Sequence, residues 1–247
     1  MVKSILLISL VSGALLLTIN KAHAAEESFK GTAEATSVIV TGNTNTETVG
    51  ASTKNTWNLT DADLAVVFGN YLSTKSAGTV TGKSWTAGLR YERVLSTDFS
   101  AFIQQMSESD PYNGVYTQRD STDIGGKYSI IKTDTLTWIA ELGYRYSSTY
   151  VEPTAKTGDV GSANYARLYS EVNNKFTTTT SGKLWAEYLL NTKTSDQSLW
   201  NAEASFTAVM SAIFSLKTAY LVKHNEGAIS PLKKDTTTWA TSLIAAY

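Results

Sequence analysis

The residues able to do chemistry are few, and their company limits what they can do. Apart from His23 in the N-terminal leader, the chain has one histidine, His224, and it has no cysteine. A nucleophile–histidine–carboxylate relay, or a histidine acid–base site, needs an imidazole between a carboxylate and a reacting hydroxyl. No serine motif accompanies His224, which shares a face with Tyr220 and Val222 and reads as an interfacial histidine. Paired carboxylates are the other route, as in glycoside hydrolysis. Glu141, Glu171, Glu187 and Glu203 fall on the polar face of alternating segments, but Arg90, Lys127, Arg145, Arg167, Lys175 and Lys183 fall there too. Charges that neutralise one another leave no carboxyl pushed toward the acid form by its neighbours. One histidine, no cysteine and no Asp-rich loop offer no metal ligand set. The expectation is no catalytic residue, no metal site and no bound cofactor. A net charge of −1 at pH 7 and no basic block give nucleic acid no purchase.

What must position these charges is a set of strands. Alternation of apolar and polar residues dominates the chain after about residue 25. In 136–150, Leu136, Trp138, Ala140, Leu142, Tyr144 and Tyr146 oppose Thr137, Ile139, Glu141, Gly143, Arg145 and Ser147. The same pattern recurs in 84–95 and 199–210. Twelve such segments are legible, near 28–41, 46–60, 63–75, 83–95, 99–109, 118–132, 136–150, 163–176, 183–193, 198–210, 214–225 and 235–247. Most exceed the ordinary strand length of about five or six residues and suit a tilted membrane-crossing strand. Turns of two or three residues, as at Ser96–Asp98, Thr133–Thr135 and Thr180–Gly182, alternate with connections that are mostly longer and polar, near 76–82, 110–117, 151–162 and 226–234. Short periplasmic turns and long external loops are the pattern of outer-membrane barrels. Aromatics gather near both strand ends, among them Phe29, Trp57, Phe99 and Phe176 at one and Trp85, Tyr220 and Trp239 at the other. The fold class predicted is all-β, a transmembrane antiparallel up-and-down barrel of about 12 strands.

With Thr133–Thr135 as a three-residue turn, residue 132 faces 136. Lys127 then lies opposite Glu141 and Asp123 opposite Arg145 on the polar, lumen face, while Ile130 faces Trp138 and Ile124 faces Tyr144 outside. The expectation is two structural cross-strand ion pairs. An arginine at Gly143 or Ser205, facing the lumen, should be tolerated better, where there is space, than one at Leu142 or Ala204, facing lipid. Tyr165, Arg167 and Tyr169 could fill a lumen that Thr236, Thr238 and Ala240 leave roomy. Lysines near the outer rim, such as Lys75, Lys223 and Lys234, either meet lipid phosphates or are simply solvated.

Both ends carry addresses. Lys3, an apolar run from Ile5 to Ile19 and Ala22-His23-Ala24 make a secretory signal peptide over 1–24, cleaved after Ala24, so that residues 25–247 form the barrel and lie in the outer membrane. At the other end Trp239, Leu243 and Tyr247 share one face and the last residue is aromatic. This resembles the C-terminal pattern read by the barrel assembly machinery, the partner expected besides outer-membrane lipids. The oligomeric state stays open.

With the strands placed, TGNTNTETVGAS, KSWTAGLRYERVLSTDFSAFIQQ and DIGGKYSIIKTDTLTWIAELGYRY resemble the salt-induced outer-membrane protein family, a YdiY-like family defined by a domain of unknown function. The resemblance covers about residue 30 to the C-terminus. It implies an outer-membrane barrel and a connection to salt or envelope stress, and it brings no substrate or catalytic residues. The function expected is a closed or narrow envelope barrel, with a small porin-like channel for ions or small solutes as the alternative.

Overall fold

A computed structural model describes residues 28–40, 46–112, 116–150, 160–194, 197–228 and 233–247. The leader and its cleavage site lie outside these residues, as do the connections at 41–45 and 151–159. The strands are β1 (Phe29–Val40), β2 (Thr46–Asn58), β3 (Asp63–Ser76), β4 (Thr79–Val94), β5 (Phe99–Asp110) and β6 (Tyr116–Lys132). They continue as β7 (Leu136–Tyr150), β8 (Val160–Lys175), β9 (Thr180–Asn191), β10 (Leu199–Val209), β11 (Phe214–Asn225) and β12 (Asp235–Ala246). Each pairs antiparallel with its chain neighbours, and β1 pairs with β12, so the sheet closes as a 12-stranded barrel with no edge strand.

Alternation now acquires an inside and an outside. Leu142, Ile124 and Leu168 are 69%, 60% and 54% exposed on the outer face, where they adjoin one another through the pairings Ile124–Tyr144 and Leu142–Leu168. An apolar belt of this extent, ringed by aromatics, is stable only against lipid. Closure is what lipid demands, since an unpaired backbone group in hydrocarbon costs several kcal/mol.

Three connections differ from the expectation. Residues 76–82 are not a long loop: β3 and β4 meet at Ala77-Gly78, whose φ of 49° and 81° make the two-residue hairpin turn matched to strand twist. The turn expected at Thr180–Gly182 lies at 176–179, where the amides of Thr179 and Thr180 donate to Thr177 Oγ1 (3.2 and 3.0 Å). Gly182 belongs to β9 and lies under the Phe176 ring, 2.8 Å from where a Cβ would be. At Thr133–Thr135 the Thr133 amide donates to Leu136 O (2.9 Å), so Lys132 faces Thr137 rather than Leu136. A bulge between Ser129 and Ile131 removes that one-residue slip. Ile131, not Ile130, therefore faces Trp138, while Lys127–Glu141 and Asp123–Arg145 stand directly opposite.

Glycines facing aromatics tighten the wall. Phe68 lies over Gly88, Phe99 over Gly126, and Phe102 over Gly125, each ring within 3 Å of where a Cβ would sit. Such pairing compensates the missing side chain of a strand glycine. At the closing seam, Tyr247 exchanges two backbone hydrogen bonds with Gly31 (2.8 and 3.0 Å), and its hydroxyl donates to Asn55 Oδ1 (3.0 Å). Its ring lies 6.0 Å from Phe29. The seam itself is short: beyond the Gly31–Tyr247 bonds, the β1–β12 register runs from Thr32–Ala246 to Thr36–Ser242.

Candidate functional site

The lumen is where the polar faces converge. On one wall, β4 and β6–β9 build a continuous lattice of charge. Arg145 binds Asp123 with two parallel bonds, Nε to Oδ1 at 2.6 Å and an Nη to Oδ2 at 2.7 Å. The same guanidinium reaches Glu187 (3.1 Å), which Arg167 also holds (2.7 Å). Arg167 bonds Glu141 (2.7 Å), and Arg90 bonds Glu141 (2.7 Å) and Glu92 (3.0 Å). Lys127 ends the chain on Glu92. Four cations thus face four carboxylates. Among the described residues no buried side-chain nitrogen or oxygen lacks a hydrogen-bond partner, which is the condition for charges to persist away from water.

Register does not dictate partner here. Lys127 and Glu141 are opposite on β6 and β7, yet Lys127 turns to Glu92 on β4 and Glu141 is taken by Arg90 and Arg167. The expected Lys127–Glu141 contact is thereby replaced, whereas Asp123 and Arg145 do meet. The inner face of a barrel is concave, so side-chain tips converge and can skip a strand. Phe102 sets the arrangement: 3% exposed and seated on Gly125, it carries the Arg90 guanidinium 3.8 Å above its ring.

The opposite wall is built differently. Lys217 sits 3.5 Å from both Glu34 and Glu203, and Thr36 and Ser242 share a hydrogen bond of 2.6 Å. Thr236, Thr238 and Ala240 are small. Beside the lattice runs a cavity of about 670 Å³, from Lys233, Lys234 and His224 at the outer rim down to Lys54, Thr56 and Leu64. On β3 the inward row is Leu64, Val66 and Phe68, all half-buried and all bordering the cavity. Sequence reasoning missed this row, although 64–68 is apolar on both faces, and it missed Lys54 and Phe102.

His224 stacks on Trp200 (5.3 Å) at the rim. Its Nδ1 lies 2.6 Å from Asp235 and its Nε2 2.9 Å from Glu226, so both ring nitrogens are taken by carboxylates and neither faces a hydroxyl. The bond from Lys234, with help from His224, holds the loop carboxyl of Glu226 below the usual carboxylate range. This is an ion cluster between the ends of the β11–β12 connection, and among the described residues no hydroxyl nucleophile hydrogen-bonds to the ring. Trp239 and Leu243 face lipid at 72% and 43% exposure and make no site in the barrel.

The family profile described as "Protein of unknown function, DUF481" matches residues 33–247. No curated protein matches by sequence. Among solved structures, the NanC porin is similar at a TM-score of 0.52 and 7% identity, over 87% of this chain and 98% of that one. The COG4313 outer-membrane channel from Pseudomonas putida F1 is similar at 0.52 and 10% identity, over 89% and 95%. At these identities the likeness is one of fold.

Proposed function

The chain belongs to the DUF481 family, whose function is unknown, and from its lumen we propose that it is a narrow outer-membrane channel for passive passage of small charged solutes. The supporting observation is the cavity of about 670 Å³ that continues beside the lattice from the rim to Lys54 and Leu64. Barrel diameter grows with strand number, from about eight strands, whose interior side chains just fill, to about 16–18, which leave an aqueous channel. Twelve strands lie between, and here the charge lattice crowds one wall. A closed envelope barrel is the second reading, favoured by Asp123 and Glu141 at 1% and 4% exposure. The link to salt or envelope stress implied by the resemblance joins the proposal through ion passage, and no catalysis is included. Refolded protein in a planar bilayer is expected to give small, steady conductance steps in KCl. Absence of steps from heat-modifiable, folded barrel would favour the closed reading.

The same proposal gives the C-terminus a second role, as the signal for the assembly machinery. Tyr247→Lys is expected to lower the amount of barrel in the outer membrane while refolding in detergent micelles proceeds. Because Tyr247 also holds the seam, the comparison is essential: equal loss in cells and in micelles would leave a purely structural role.

A further inference from the structure

We propose that the lumen binds small organic anions that carry an apolar body, with the Lys54 ammonium holding the charge and the Leu64–Val66–Phe68 row holding the body. The inference rests on the reading of the lumen as open to solutes, and names their class. Barrel interiors are polar, so an inward apolar row bordering a cavity asks for something to cover it. Its charge neighbours say what. Lys54 is the direct register partner of Phe68, and its side chain is exposed in the cavity.

Among the described residues Lys54 has no ion-pair partner, unlike the cations it faces. Lys183 holds Glu171 at 2.9 Å, Arg90 holds Glu92 and Glu141, and Lys127 holds Glu92. Those three cations lie within electrostatic reach of Lys54, as does the Glu171 carboxylate that Lys183 already holds. Ten lysines and arginines border the cavity against six carboxylates. A cation entering there meets repulsion, and an anion meets an ammonium whose charge is uncommitted. An inorganic anion would leave the apolar row bare. A flat or branched body would cover it, across from the stacked rings of Tyr169 and Trp185, whose centroids are 6.0 Å apart. The cavity's size falls within the range of small-molecule sites.

Benzoate is the probe, with benzyl alcohol and benzylammonium as its neutral and cationic counterparts and chloride as the inorganic anion. Titration into the folded full-length barrel in micelles is read by tryptophan fluorescence, with Trp185→Phe identifying the reporter. Benzoate should bind saturably and ahead of all three comparators. Lys54→Gln should weaken it about tenfold, the worth of one charge-assisted hydrogen bond, and Lys54→Arg should restore most of the loss. Phe68→Ala should weaken benzoate while leaving chloride unchanged. Heat-modifiability on a gel confirms that each variant is folded. Equal binding of benzoate and benzylammonium, or full affinity in folded Lys54→Gln, would overturn the proposal. Conductance without benzoate binding or block would sink this inference and leave the channel. Benzoate binding without conductance would uphold the site and remove the channel.

Discussion

Arg145→Gln will cost the barrel about 3–5 kcal/mol, and adding Asp123→Asn will return most of it. Asp123 is 1% exposed and takes two bonds from Arg145, whose side chain is itself 7% exposed. Removing the guanidinium leaves a carboxylate out of water with only the Gln104 amide (3.1 Å) and a distant Arg167 Nε (3.6 Å). It also strips Glu187 of one of its two arginines. The cost belongs to the stranded charge, so neutralising the charge removes it. Lys127→Gln provides the contrast. Lys127 is 24% exposed, and its partner Glu92 keeps Arg90, so roughly 0–1 kcal/mol is expected. Urea unfolding of refolded protein, followed by the heat-modified gel band, measures all four chains. If Arg145→Gln proves as mild as Lys127→Gln, water reaches the lattice and the interior is wetter than its geometry implies.

The strands were readable because membrane strands separate two solvents, and period-2 alternation records which residue meets which. Deep pairings such as Asp123–Arg145 were readable for a less direct reason. The turn at Thr133 is one residue tighter than expected and the bulge at Ile130 adds one residue back, so two departures cancel below Ser129. The lattice beyond that pair was not readable. Arg90–Glu141, Lys127–Glu92 and Arg145–Glu187 join strands that share no hydrogen-bonded register, and pairing rules speak only of neighbours. Glycine roles were hidden in the same way: Gly125 faces the lumen because Phe102, on another strand, needs the space. The inward apolar row on β3 went unnoticed because Ala65 and Val67 on the outer face are apolar too, so the alternation there carries no contrast.

Charge placed on either side of β7 will be damaging, but for different reasons, and a third position separates them. Leu142 is 69% exposed on the belt, and Leu142→Arg should cost about 2–4 kcal/mol, the price of a cation near mid-bilayer. Gly143 faces the lumen, where an arginine is better tolerated than in lipid only if there is space. Its Cβ, however, would sit 2.8 Å from the Ile124 carbonyl oxygen, and one on its register partner Gly125 would sit 2.5 Å from that of Leu142. The two glycines let the β6 and β7 backbones close beneath Phe102. Gly143→Ala should therefore already cost about 1–3 kcal/mol through overpacking, with Gly143→Arg at least as damaging, whereas Leu142→Ala should be far milder than Leu142→Arg. Thr238 is the lumen position with room, beside a space of about 330 Å³ bounded by Thr36, Thr48, Leu72 and Ala240. Thr238→Arg should leave the urea midpoint nearly unchanged. Damage at Thr238 equal to that at Leu142 would reverse the inside–outside assignment. Tolerance of Gly143→Ala would show instead that the β6 and β7 backbones can part, and that Phe102 and Arg90 do not depend on their closeness.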